Sequence, residues 1–281
     1  MTLLQQRIKE LSDDLAKFVS KLTKKVSEKS VHRLRTSIRR TETLVSYTQP
    51  RLGRKQGRAQ EELHTLRKRA GKVRDLDIQI GLLGSIANGS AGADRRALLD
   101  ALKKKRLRQA GRLTTVIKKL EKTKFLSRLE RVVEKAAAGT PGNSEPLQSA
   151  QKDLNQLATE HSSRQTLKPA RLHELRIKLK LLRYRAELAP EKPEQKEFVE
   201  KVKAVQDSIG EWHDWEMLTK SAEKQFGNRM SCALLMEIRS LFAAKYSAAV
   251  SAAMSLLTSC ILPGKKKPSS VQVAGTAAQR A

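Results

Sequence analysis

A histidine followed by cations three and seven residues later occurs twice in the chain, as His32, Arg35 and Arg39 and as His173, Arg176 and Lys180. At about 100° per residue, such positions on an α-helix fall within a sector of roughly 60°. His32, Arg35 and Arg39 therefore share a face with Arg40 on its shoulder, and Val31, Leu34, Ile38 and Val45 group on another. The second copy sets His173, Arg176, Lys180 and Arg183 on one side, flanked by Tyr184. Leu172, Leu175, Leu179, Leu182 and Ala186 lie on the other. Each helix is expected to pack by one stripe and present cations by the next. The chemistry suits phosphate, because arginine offers a planar fork matching two oxygens and lysine a compact point charge. Cations stacked along a helix can engage successive phosphates of a linear chain. Each engaged phosphate releases counterions, so affinity should fall steeply with salt. Histidine adds a donor whose charge is favoured beside anions and lost as pH rises above its pKa.

A single row of lysines and arginines is ordinarily a solvated face. Here a second motif repeats with the first: Gly71-Lys72-Val73-Arg74-Asp75 aligns with Gly210-Glu211-Trp212-His213-Asp214, offset by 139 positions, against 141 for the histidine motif. Two motifs in one order and nearly one spacing read as a duplicated four-helix unit. Glycine inside a helix costs about 1 kcal/mol against alanine, and close approach of a neighbouring helix is the natural compensation expected at Gly71 and Gly210. Asp75 and Asp214 are expected to orient Arg or His side chains. Arg74 is a candidate ligand, joined by Arg67 and Lys68 from the turns before it. Trp212 and Trp215 are expected in the core, with His64 and His161 as ordinary surface or packing residues.

Composition agrees with an anionic partner. The 281 residues hold 57 Lys and Arg against 29 Asp and Glu, a formal net charge of +28. A compact body with that much like charge repels itself, which a polyanion would relieve. Aromatic residues are 4% of the chain, too few for a reader of single-stranded nucleic acid built on stacking platforms. Duplex nucleic acid stays open as an alternative partner. No Gly-x-x-x-x-Gly-Lys-Ser/Thr loop, His-Glu-x-x-His motif or carboxylate cluster is present, so no catalytic residue, metal or cofactor is expected. A metal-dependent phosphate-chain hydrolase is the remaining enzymatic alternative. A metal shared by His32 and His173 is disfavoured by the cations beside each. Cys232 and Cys260 give no disulfide framework.

The elements that must position these residues are all helical. Leu4, Ile8, Leu11, Leu15, Phe18, Leu22 and Val26 make the stripe of a core-facing helix, and no alternating strand pattern occurs. Breakers at Pro50–Gly57, Asn88–Gly92, Gly139–Pro146, Pro169, Pro190–Pro193 and Gly227 predict about eight helices, four before Gly139 and four after Pro146. The expected units are residues 1–140 and 141–262, with a tail, 263–281, that has little to bury and is expected to be disordered. The start lacks the apolar core of a secretory signal. The uncharged stretch from Tyr246 to Gly264, with Ser247, Ser251, Ser255 and Ser259 four apart, is expected to be a tightly packed helix and not a membrane span. The default compartment is the cytoplasm.

The segments VHRLRTSIRR, GKVRDLD, LHELRIKLKLLRY and VQDSIGEWHD, four in order, resemble the conserved histidine α-helical domain, or CHAD, family. They set a register for nearly all of residues 1–262. The resemblance implies an all-α fold of two four-helix bundles related by pseudo-twofold duplication, with a basic channel between them. It also implies non-catalytic binding of inorganic polyphosphate and association with polyphosphate granules. Carried over by position, it points to His32, Arg35, Arg39 and Arg40, then to His173, Arg176, Lys180, Arg183 and Tyr184. The chain departs from the family pattern at Glu42, opposite Arg183 in the repeat, where a cation is common, and at Ile177. No triphosphate-processing domain is expected before the first helix.

Overall fold

The apolar stripes read from the sequence become the buried faces of helices. The structure is a computed structural model that describes residues 3–48, 54–86, 92–122, 124–138, 145–161, 167–227 and 232–261. Among them are nine helices and no strand: α1 (Leu3–Lys24), α2 (Glu28–Thr48), α3 (Arg54–Ser85), α4 (Gly92–Lys122), α5 (Phe125–Ala138), α6 (Pro146–His161), α7 (Pro169–Ala186), α8 (Pro193–Phe226) and α9 (Ala233–Ile261). The tail from residue 263 lies outside the described residues.

Local chemistry sets several of these boundaries. Ser27 caps α2, its Oγ accepting the Ser30 amide at 3.2 Å. Proline stands in the first turn of α7 and α8, where its missing N–H has no intrahelical partner to lose. Gly227 stops α8 at φ +65°, and its N–H bonds the Glu223 carbonyl at 2.8 Å. One boundary differs from the sequence expectation. Lys124 adopts φ +51°, in the left-handed region, so the helix expected to run on from Gly92 turns there and becomes α4 and α5. The first half thus has five helices where four were expected. No glycine or proline marks the turn, which is why the breaker count missed it.

Three apolar clusters hold the helices. Leu15, Phe18 and Leu22 of α1, Leu34 and Ile38 of α2, and Phe125 and Leu129 of α5 meet in the first, which also takes in Leu188 from beyond α7. In the second, Leu175 and Leu179 of α7 pack against Val202, Ile209 and Trp212 of α8 and Ala249 and Ala253 of α9. The third joins the halves: Leu76, Leu83, Leu98 and Leu102 pack with Trp215, Leu218, Phe226 and Leu235. At roughly 1.5–3 kcal/mol per fully buried large side chain, each cluster can offset substantial electrostatic cost elsewhere. The side chains of Leu4 and Ile8, in the α1 stripe, lie outside those described.

α9 is long and apolar enough to cross a membrane by length and composition, with a mean hydropathy of 1.3 in its best window. Packing accounts for part of that composition, since Ala249, Ala253, Leu256 and Leu257 are buried against α6 and α8. The serine stripe is not the packed face: Ser247, Ser251, Ser255 and Ser259 are exposed, and the alanines between them make the close contact.

The two motif glycines also depart from expectation. No neighbouring helix crowds either one. A Cβ at Gly71 would meet only the Arg35 guanidinium, at 3.9 Å, and a Cβ at Gly210 would meet nothing within 4 Å. Gly71 leaves room for an arginine, and Gly210 bares the helix surface. Gly210→Ala should therefore stabilise the fold by about 1 kcal/mol through helix propensity alone. That corresponds to a rise of about 2–4 °C in melting temperature in a thermal scan. A fall would show that this bare surface is needed for packing.

Candidate functional site

The faces of α2 and α7 opposite their leucine stripes turn toward one another across a cleft of about 610 Å³. Val31, Leu34 and Ile38 of α2 are fully buried, as are Leu172, Leu175 and Leu179 of α7, within 1% exposure. Helical periodicity then leaves Arg35, Arg39, Arg176, Lys180 and Arg183 no direction except into the cleft, where His32 and Tyr184 join them. α3 contributes Arg74 and Asp75, and α8 contributes Lys203, Gln206, Gly210 and Asp214.

These cations are not equally neutralised. Arg35 Nη1 donates to Asp75 Oδ1 at 3.2 Å, the orienting role expected of that aspartate. Arg74 pairs with Glu28, Lys203 with Asp207 at 2.5 Å, and Arg183 Nε lies 3.4 Å from Glu187 Oε1 with its guanidinium over the Tyr184 ring at 4.7 Å. Arg39, Arg176 and Lys180 make no ion pair among the described residues. Burial pushes Arg39 and Arg176 down from their ordinary values. Burial, then the guanidinium groups of Arg176, Arg39 and Arg35, bring the Lys180 amine down to about 6. Burial raises the Asp214 carboxyl to about 6 even though Arg176 pulls the other way. Arg176 Nε and Gln206 Oε1 are buried without a hydrogen-bond partner, and an unmet buried polar group costs about 1–3 kcal/mol. With Asp207 and Glu211 of α8 included, the cleft is lined by seven Lys and Arg side chains against four carboxylates, and the ligand chemistry that this excess favours is anionic.

The remaining sequence candidates fall outside the cleft lining. Arg40 donates to Glu187 at 3.0 Å and lines a separate acid-rich pocket with Glu10, Asp14, Glu187 and Glu191. Arg67 donates to Glu42 at 2.9 Å and to His64 Nδ1 at 2.8 Å, so Glu42 occupies a cation from α3. Lys68 is exposed. His173 faces His213, the ring centroids 5.3 Å apart, and burial followed by Arg176 brings His213 down to about 4. His32 is lowered by burial, then by Arg74 and Arg35. No group of three or more His, Cys, Asp and Glu side chains able to hold a metal occurs among the described residues.

Sequence reasoning left Lys203, Gln206 and Asp214 out of the candidate site. The signal was present, since Lys203, Gln206, Gly210 and Asp214 recur at helical spacing and end in the repeated Gly-x-x-x-Asp motif.

A family model described as the CHAD domain matches residues 6–223. The chain is similar to the crystal structure of the CHAD domain from the plant Ricinus communis, with 15% identity, 90% of this chain and 88% of that one covered, and a TM-score of 0.67. It is also similar to PptA from Streptomyces chartreusis, with 16% identity, 92% and 97% covered, and a TM-score of 0.60. No curated protein matches. At these identities the likenesses speak for the fold.

The Lys180 amine carries a consequence for stability. Its folded pKa of about 6 lies below its ordinary 10.5, so the unfolded chain holds a proton the folded one releases between those values. Stability should fall as pH is lowered from about 10 toward 6 and level off below. Lys180→Met should flatten that slope and gain on the order of 1–2 kcal/mol at pH 7, read by urea unfolding across pH.

Proposed function

The chain belongs to the CHAD domain family, and on that premise we propose that it binds inorganic polyphosphate along the cleft lined by α2, α3, α7 and α8, without turning it over. The observation that carries this reading is the set of Arg39, Arg176 and Lys180, buried together without an ion pair among the described residues, with Asp214 the acid that acts on Arg176 and Lys180. A linear phosphate chain supplies closely spaced anions, with oxygens that match guanidinium forks and an amine. Arg35, Arg183, Arg74, His32 and Tyr184 flank the central three and extend the row.

The internal duplication supports the same reading. Arg35 and Arg176, Arg39 and Lys180, and Asp75 and Asp214 are corresponding positions of the two motif copies, and all six line one cleft. His32 beside Arg74 in the first copy has its counterpart in His173 beside His213 in the second. Two bundles related by an approximate twofold axis, with a basic channel between them, account for this correspondence. A cytoplasmic protein associated with polyphosphate granules is the setting that fits.

Phosphate entering the cleft would favour the charged form of Lys180 and of His32, so binding takes up protons. Affinity should rise as pH falls from 8 toward 6, and Lys180→Met should remove most of that dependence.

Replacing Arg39 and Arg176 together by glutamine is the direct test. Each charge-assisted hydrogen bond contributes about 1.5–3 kcal/mol, so the pair should weaken polyphosphate binding by about 100-fold or more. Relief of buried like charge should leave unfolding stability unchanged or higher. Unchanged affinity at moderate salt would overturn the reading. In a competition at equal phosphate concentration, long polyphosphate should displace duplex DNA, and a clear preference for DNA would favour a nucleic-acid binder.

A further inference from the structure

Outside the cleft, a second concave surface among the described residues gathers cations without a carboxylate in its lining. Residues 101–120 of α4 carry eight Lys and Arg and no carboxylate. Ala101, Lys105, Arg108 and Arg112 fall at i, i+4, i+7 and i+11, a single helix face. That face lines a groove of about 380 Å³ whose opposite wall is the end of α8, with Ser221, Lys224 and Gln225, and whose floor is Leu98 and Leu102.

Three observations set this groove apart from a solvated basic face. First, Lys105, Arg108, Arg112 and Lys224 make no ion pair among the described residues, and no acidic side chain lines the groove. Arg106, on the same helix but pointing away, behaves as a structural cation does: it donates to Asp77 at 2.5 Å and to the Val26 carbonyl at 3.2 Å. The nearest acid of α8, Glu223, is taken by Arg239 at 2.8 Å. Second, the cations come from two helices on opposite sides of a recess, so they converge on one volume. Third, Gln109 lines the groove with its Oε1 buried and without a hydrogen-bond partner. With the oxygen buried, it is the N–H₂ end of the amide, which makes no hydrogen bond among the described residues, that is left to donate.

We propose that the groove between α4 and α8 is a second site for phosphate anions, a short oligophosphate or one stretch of a longer chain, held by Lys105, Arg108, Arg112 and Lys224 with Gln109 as a donor. The site is independent of the cleft, since it shares none of its residues. A recess suits a thin phosphate chain better than a duplex, whose phosphates lie on a convex surface.

Titration calorimetry with tripolyphosphate on the full chain tests this. In the background of the cleft variant Arg39→Gln with Arg176→Gln, a saturable site should remain. Adding Arg108→Gln, Arg112→Gln and Lys224→Gln should weaken it about tenfold or more. Removing equal charge from the end of α4, by Lys118→Gln, Lys119→Gln and Lys122→Gln, should change it less than about twofold. No residual site in the cleft variant, a residual site indifferent to the groove substitutions, or an equal loss in the charge control would each overturn the groove. So would groove substitutions that weaken duplex DNA binding and leave tripolyphosphate binding unchanged. If the cleft variant binds like the unaltered protein while the groove variant does not, the groove stands and the cleft reading falls.

Discussion

Keeping like charges together away from water is the constraint on which the rest of the fold depends. Arg39, Arg176 and Lys180 repel one another in a half-buried cleft, and nothing in their own chemistry favours that arrangement. They stay because each sits on a helix anchored by the opposite face, Leu34 and Ile38 on α2 and Leu175 and Leu179 on α7. Packing energy in this way holds the three cations out of water, and their lowered pKa values follow first from that burial and only then from neighbouring cations.

Glu28, Glu42 and Glu187 pair with Arg74, Arg67 and Arg40, all at or beyond the edge of the cleft. Inside the cleft Arg35 and Arg183 are paired as well, while Arg39, Arg176 and Lys180 make no ion pair among the described residues. The halves differ beside their histidines. In the first, His32 stands near an arginine. In the second, His173 stands near another imidazole whose proton burial has removed at neutral pH. The second half thus carries less charge at this point and relies on Arg176 and Lys180.

Much of this was legible in the sequence, and for a physical reason. Helix faces are set by local periodicity, so the separation of Leu34 and Ile38 from Arg35 and Arg39 needed no knowledge of neighbours. The proline starts of α7 and α8 were equally local. What escaped was whatever depends on a partner distant in sequence. Arg40 shares a helix with Arg39, yet its fate was decided by Glu187, 147 residues away. Arg67 was lost to Glu42 in the same way. Glycine was misread at Gly210 because the residue type alone does not report whether a neighbour lies close, and here nothing does. The turn at Lys124 had no marker, since lysine rarely adopts that backbone.

The third apolar cluster, in which Leu76, Leu83 and Leu98 share a core with Trp215, Leu218 and Phe226, ties the two halves across their seam, and Leu188 adds a second tie. The seam between the halves is therefore packed core along these residues. The helices that line the cleft are held by packing from both halves, so the binding proposed above would need little backbone motion. For the polyanion proposed above, long-range attraction between opposite charges, damped by the ionic atmosphere, would then set the rate of association.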